Sequence, residues 1–149
     1  MTALNIGRKD KPGDNPGKGN SSGDQGVDRE REQCITELRT GIKERQRLRK
    51  QALVRRKEEA WEKARRAAAL IRSRGGKQVF LFGSLIRSGN FWEHSDIDLA
   101  VSGLPREVSF WRLYAEVLAQ VEPFHADLVV MEGAPAELRQ HILQEGVEL

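Results

Sequence analysis

The chain has 149 residues, with Lys+Arg 25 against Asp+Glu 22 and a formal net charge of +3. That length holds one modest domain, or a small domain with appendages, around a core of limited size. The single cysteine, Cys34, excludes an intrachain disulfide framework and a multi-cysteine metal site. No apolar run approaches the ~20 residues of a bilayer crossing, and the N-terminus lacks the apolar stretch of a signal peptide. A cytoplasmic protein that does not enter the membrane is the expectation.

The net charge hides a segregation. Residues 1–28 carry 4 basic and 4 acidic side chains, residues 29–74 carry 16 and 7, and residues 75–149 carry 5 and 11. Basicity belongs to the middle segment and the last half is acidic. Residues 1–28, with glycine and proline scattered among Lys, Asp, Asn and Ser, cannot bury enough surface to offset the entropy of ordering them. They read as a disordered tail. From Arg29 to about Arg74 there is no proline and one glycine among strong helix formers, which predicts a basic helical arm, in one helix or two in series. Its apolar face is wide enough to pack firmly only from Trp61 to Ile71. Cys34, beside Ile35, Leu38 and Ile42, is expected to be a small buried hydrophobe.

Gly75-Gly76 ends the helical pattern, and residues 75–149 read as an α/β (α+β) domain with a small mixed sheet flanked by helices. Gln78–Phe82 is a short buried strand followed at once by Gly83-Ser84. Asp96–Val101 is a second strand. Pro105 suits a first helical turn, and Phe110, Leu113, Tyr114, Val117, Leu118 and Val121 trace an amphipathic helix. Asp127–Met131 is a third strand. Pro135 opens a last helix with Leu138 and Ile142 inward, closed by Gly146. Val147–Leu149 is too short to assign.

Chemistry concentrates in two places. Asp96 and Asp98, one residue apart on a strand, project from the same face, while Ile97 and Leu99 face the core. Acidic residues are depleted in strands, so this pair needs solvent, a cation or a basic partner. Asp127 could join it from a neighbouring strand. Three converging carboxylates would raise one another's pKa unless a cation intervened, and hard oxygen donors suit Mg²⁺. The second place is Gly83-Ser84. Glycine lets backbone approach a ligand closely, and a helix starting there would aim free N–H groups at an anion, with the Ser84 hydroxyl as a further donor.

Gly83-Ser84, eleven residues, then Asp96-Ile97-Asp98, with Asp127 opening a later strand, resembles the signature of the DNA polymerase β-like nucleotidyltransferase superfamily. The stretch from Val79 to Glu148 is similar to its minimal nucleotidyltransferases, the MNT proteins, which include antitoxins paired with HEPN-type toxins. Where that family often has Ala-Arg-Gly after Gly-Ser, this chain reads Ile86-Arg87-Ser88-Gly89. The resemblance implies transfer of a nucleotide, most often AMP from ATP, to an acceptor hydroxyl. It implies that Asp96, Asp98 and Asp127 hold two Mg²⁺ ions and that Asp127 also takes the acceptor proton. It places the triphosphate on Gly83, Ser84 and Arg87, and a HEPN-type toxin as partner and acceptor.

Other readings stay open at this level. The aspartates could be a solvated edge strand, Gly83-Ser84 a plain turn and Asp127 a strand-initiating residue. His94 reads as a loop histidine in solvent, and its spacing from Arg87 matches a ribonuclease motif that belongs on a helix, not in this loop. Trp61, Trp92 and Trp111 read as packing residues, with Trp92 the one placed to touch a base. The basic arm, 29–74, could be a solvated face, a nucleic-acid contact or a dock for an acidic protein. A domain of about 75 residues leaves little surface for an acceptor, which favours a macromolecular one over a small antibiotic. The alternative to a catalyst is a degenerate site in a module that neutralises its partner by contact.

Overall fold

The computed structural model describes residues 24–89 and 91–149. The chain divides into two compact units, Met1–Lys43 and Glu44–Leu149. In the first unit the described residues are helical, and their apolar side chains, Val27, Ile35, Leu38 and Ile42, are exposed. Cys34 is exposed too, against the expectation of burial, because among the described residues no second element covers this stretch of helix. The expected disordered tail lies mostly outside the described residues, whereas Asp24–Asp28 already belong to a helix.

That helix is α1, Asp24–Ser73, one element and not two. In the second unit it is followed by β1 (Gln78–Phe82), β2 (Ile97–Ser102), α2 (Phe110–Val121), β3 (Ala126–Val130), α3 (Ala136–Glu145) and the two-residue β4 (Val147–Glu148). The strands form one mixed sheet in the order β3-β2-β1-β4. β1 lies antiparallel to β2 and β4, and β2 parallel to β3. The parallel pair is joined through α2, as a parallel connection requires. Helices and sheet together make the small α+β fold expected from the sequence.

Alternation along the strands assigns two faces. Val79, Leu81, Ile97, Leu99, Val101 and Leu128 share a core with α1 and α2. Phe80, Ala100, Met131 and Ile142 form a smaller core under α3. On α1 the packing face is Ala60, Ala64, Ala67, Ala68 and Ile71, each buried. These four alanines are fully packed in the core, so a larger side chain there has nowhere to go. Ala64→Leu is expected to destabilise the protein by about 1–3 kcal/mol, read by denaturant melting. An unchanged midpoint would mean that this seam yields.

The end of α1 follows from Gly75, whose φ is +99°, a conformation natural to glycine. Its N–H donates to Arg72 O at 2.9 Å and the Gly76 N–H to Ile71 O at 3.1 Å, the paired bonds of a Schellman stop. The Arg74 guanidinium then meets Glu116 of α2 through Nε and Nη2, both at 2.9 Å.

Four local expectations change. Pro105 does not enter a helix, because α2 starts at Phe110 with Ser109 as its cap. β2 begins at Ile97, leaving Asp96 just ahead of it. Residues 147–148 find a partner strand, pairing with β1 at the sheet edge. Trp111 is 75% exposed, since it falls on the outer side of α2, away from Leu113, Val117 and Val121.

Candidate functional site

The candidate residues meet where β1 ends and β2 and β3 begin. Phe82 pairs with Asp98 across the antiparallel ladder, and Asp98 pairs with Asp127 across the parallel one. The three therefore stand in one row across the sheet. Two-residue periodicity puts Asp98 and Asp127 on the sheet face that carries α3, at the end where its apolar cluster stops. Asp96, two residues before Asp98, and Asp98 are half-buried, and Asp127 is exposed.

Backbone bonds keep this row in register. The Ile97 N–H donates to His125 O at 2.9 Å, tying the entry of β2 to the entry of β3. Tyr114 Oη of α2 donates to Ala126 O at 3.0 Å, holding the residue before Asp127. Parallel pairing thus sets two carboxylates beside each other although 28 residues of sequence lie between them.

Gly83 follows Phe82 directly and turns the chain over Asp98. Its φ is +76°, and a Cβ at this position would run into Asp98 Oδ2. Residues Gly83–Leu85 form a single 3-10 turn, not the start of a longer helix. The anion-binding dipole expected from a helix N-terminus is therefore missing here, since one turn aligns too few peptides. The Ser84 backbone N–H instead donates to the Asp98 carboxylate.

Electrostatics single out Asp98. Its pKa is pushed up to about 6, first by burial, then by the charges of Asp127 and Asp96, while the Ser84 N–H and the charge of Arg87 pull the other way. Arg87, exposed on the loop after the turn, is thus close enough to act on Asp98. All six residues singled out in the sequence fall in this region. Asp98 is the one most burdened, because it sits between two like charges with only part of its surface in water.

The fit to a cation can be judged from these donors. Among the described residues no three His, Cys, Asp or Glu side chains are gathered into a ready-made cage. Mg²⁺ does not require one, since it usually takes one or two carboxylates and completes its shell with water and substrate phosphates. Asp98 and Asp127 on adjacent strands, with Asp96 alongside, suit that mode. A cation among them would also reverse the mutual repulsion that raises Asp98.

Sequence reading missed a set of contacts from α1. Arg56 donates through Nε to Trp92 O at 3.2 Å and through Nη2 to Glu93 O at 2.8 Å. Lys57 Nζ donates to Arg87 O at 2.8 Å and Gly89 O at 3.2 Å. A signal was available, because residues 45–57 hold seven basic side chains and no acidic one. Nothing in helical periodicity distinguishes the two that bond the loop's carbonyls from the rest. Trp92 is 49% exposed, and its ring receives the Arg49 guanidinium at 5.8 Å.

Comparison with known proteins places this geometry. Residues 70–149, more than half of the chain, match the family Polymerase beta, Nucleotidyltransferase. A solved chain named as a minimal nucleotidyltransferase is 26% identical with a TM-score of 0.53, covering 62% of this chain and 95% of that one. The crystal structure of the toxin–antitoxin MntA–HepT matches at 22% identity and a TM-score of 0.45, over 59% of this chain and 69% of that one. The complex of tri-AMPylated Shewanella oneidensis HEPN toxin with MNT antitoxin matches at 21% and 0.44, over 60% and 70%. Among curated proteins none matches. A domain match over more than half of the chain, on a sheet that sets Gly83-Ser84 beside a carboxylate row, makes this protein a member of the polymerase β nucleotidyltransferase family.

Proposed function

We propose that the protein is a metal-dependent nucleotidyltransferase that moves AMP from ATP onto a hydroxyl of a partner protein. We further propose that it acts in the cytoplasm as the antitoxin of a HEPN-type toxin. The observation that carries the catalytic reading is the row Phe82–Asp98–Asp127 with Gly83-Ser84 at its end. It offers acidic donors and a close-approach backbone turn on one sheet end, the two halves of a metal–nucleotide site. The partner reading is supported by the resemblance of the stretch from Val79 to Glu148 to the minimal nucleotidyltransferases, which include antitoxins of HEPN-type toxins.

In this reading residues 75–149 carry the chemistry. Asp96, Asp98 and Asp127 hold Mg²⁺, which when bound neutralises the triphosphate and stabilises the entering and leaving oxygens. Gly83 admits the phosphates close to backbone, Ser84 donates to a phosphate oxygen, and Arg87 offers a charged donor from the adjacent loop. Asp127, the most exposed carboxylate of the row, is placed to accept the proton of the acceptor hydroxyl. The acceptor oxygen attacks the α-phosphorus, the bond to the bridging oxygen breaks, and pyrophosphate leaves. Such transfers draw mainly on positioning and charge stabilisation.

The test is direct. With labelled ATP, Mg²⁺ and the product of the adjacent gene, the partner is expected to gain the mass of AMP, and the double variant D96N/D98N to leave it unmodified. A partner that is never modified, yet is inhibited equally by both forms, would replace catalysis with neutralisation by contact.

A further inference from the structure

Two neighbouring cations of α1 reach the loop that joins the Gly83–Leu85 turn to β2. Lys57 caps the carbonyls of Arg87 and Gly89, on the turn side of this loop. Arg56 caps those of Trp92 and Glu93, on the strand side. Four outward carbonyls of an irregular segment are thus satisfied by two side chains one residue apart on a rigid helix. Both side chains are half-buried, unlike Arg45, Arg47 or Arg55.

Arg56 does more than donate. Its guanidinium lies 5.7 Å from the Phe91 ring centroid and 4.6 Å from that of Phe124. Those rings are themselves 5.9 Å apart and tilted. Phe91 sits on the approach to Asp96 and β2, and Phe124 on the approach to Asp127 and β3. One planar cation therefore contacts the lead-in of each strand that bears a carboxylate. Lysine offers neither the fork nor the flat face needed for this.

We propose that Arg56 and Lys57 are positioning residues of the nucleotide site. They pin the loop at 86–89 and 91–95 so that Arg87 and Asp96 are presented beside Asp98. The inference rests on the nucleotidyltransferase reading and goes past the family match, which begins at residue 70. It makes the basic helix of this chain a working part of the site. Phe91 anchors the loop in the core, but residues 87–89 and 92–94 on either side of it are exposed, so without the clamp those flanks would open locally and cheaply.

The experiment uses the full chain and ATP with Mg²⁺ as probe. Lys57→Met and Arg56→Met are each expected to weaken ATP binding about tenfold by calorimetry. Amide exchange should quicken in residues 86–89 and 91–97 and stay unchanged in β1 and α2. Lys57→Arg, which keeps a donor at the two carbonyls, should bind ATP within about twofold of the wild type, whereas Arg56→Lys should not recover. Equal ATP affinity in the wild type and both methionine variants would overturn the proposal. So would faster exchange throughout the sheet, which would mark the cations as general stabilisers. A wild type that binds no ATP would instead overturn the reading of the site itself, and the positioning role with it.

Discussion

Asp98→Asn is expected to make the protein more stable and inactive at once. In the folded chain the Asp98 pKa is pushed up to about 6 from 3.8. A carboxyl whose folded value lies above its unfolded value favours the fold when protonated. Its contribution is fully present below about 4, is lost as pH rises through about 6, and is absent at pH 7. Because the group is only half-buried, solvent screening leaves a gain for asparagine on the order of 1 kcal/mol at pH 7. Thermal melts should show the variant a few degrees above the wild type at pH 7–8, with the gap closing towards pH 4. Adding Mg²⁺ should raise the wild-type midpoint through binding to the native state and leave the variant where it is. Transfer of AMP should drop about a thousandfold, the scale on which a lost electrostatic contact at a reacting centre is felt. Identical melting of the two proteins from pH 4 to pH 8 would show that Asp98 carries no such burden.

Gly83→Ala is expected to damage stability and nucleotide binding together. The residue's φ of +76° costs a side-chain-bearing residue about 1–2 kcal/mol, and the added Cβ would collide with the Asp98 carboxylate. The sum is a loss of about 3 kcal/mol by denaturant titration, with ATP binding reduced below detection. The two causes separate in a double-mutant cycle. In an Asp98→Ala background the carboxylate clash is gone and only the Cβ of residue 98, at 3.2 Å, stays close, so the same glycine substitution should cost little beyond the backbone part, about 1–2 kcal/mol. Strictly additive costs would mean that the turn does not press on Asp98, and the proposed closeness of phosphate turn and carboxylate row would go with it.

These two residues also mark how far the sequence could be read. A turn of Gly-Ser after an apolar strand, and a carboxylate pair at two-residue spacing, are local patterns, and each was visible as such. Strand phase already placed Asp96 and Asp98 on one face, because Ile97 and Leu99 had to go inward. Asp127, opening a later strand, was a candidate on the condition that its strand lay beside the first. What the pattern lacked was register. A slip of two residues would keep every side chain on its face and still part Asp98 from Asp127. The short 3-10 turn at Gly83 was equally hidden, since a helix start and a single turn share the same opening residues. Trp111 and Cys34 misled for a related reason: an apolar residue on a helix is buried only where another element comes to cover it.

The whole-chain charge of +3 was the least informative figure, and its distribution the more useful one. Sequence alone determined the elements other than β4, their apolar faces, the acidic half with its carboxylates and the basic helix before it, because each follows from spacing within a few residues. Tertiary structure alone decided that Phe82, Asp98 and Asp127 stand in one row and that Arg56 and Lys57 grip the loop beside them. Those contacts join residues 16 to 37 positions apart. They are chosen by how residues 44–149 pack, through the buried alanine face of α1 and the pairing of the sheet, and no local pattern encodes that choice.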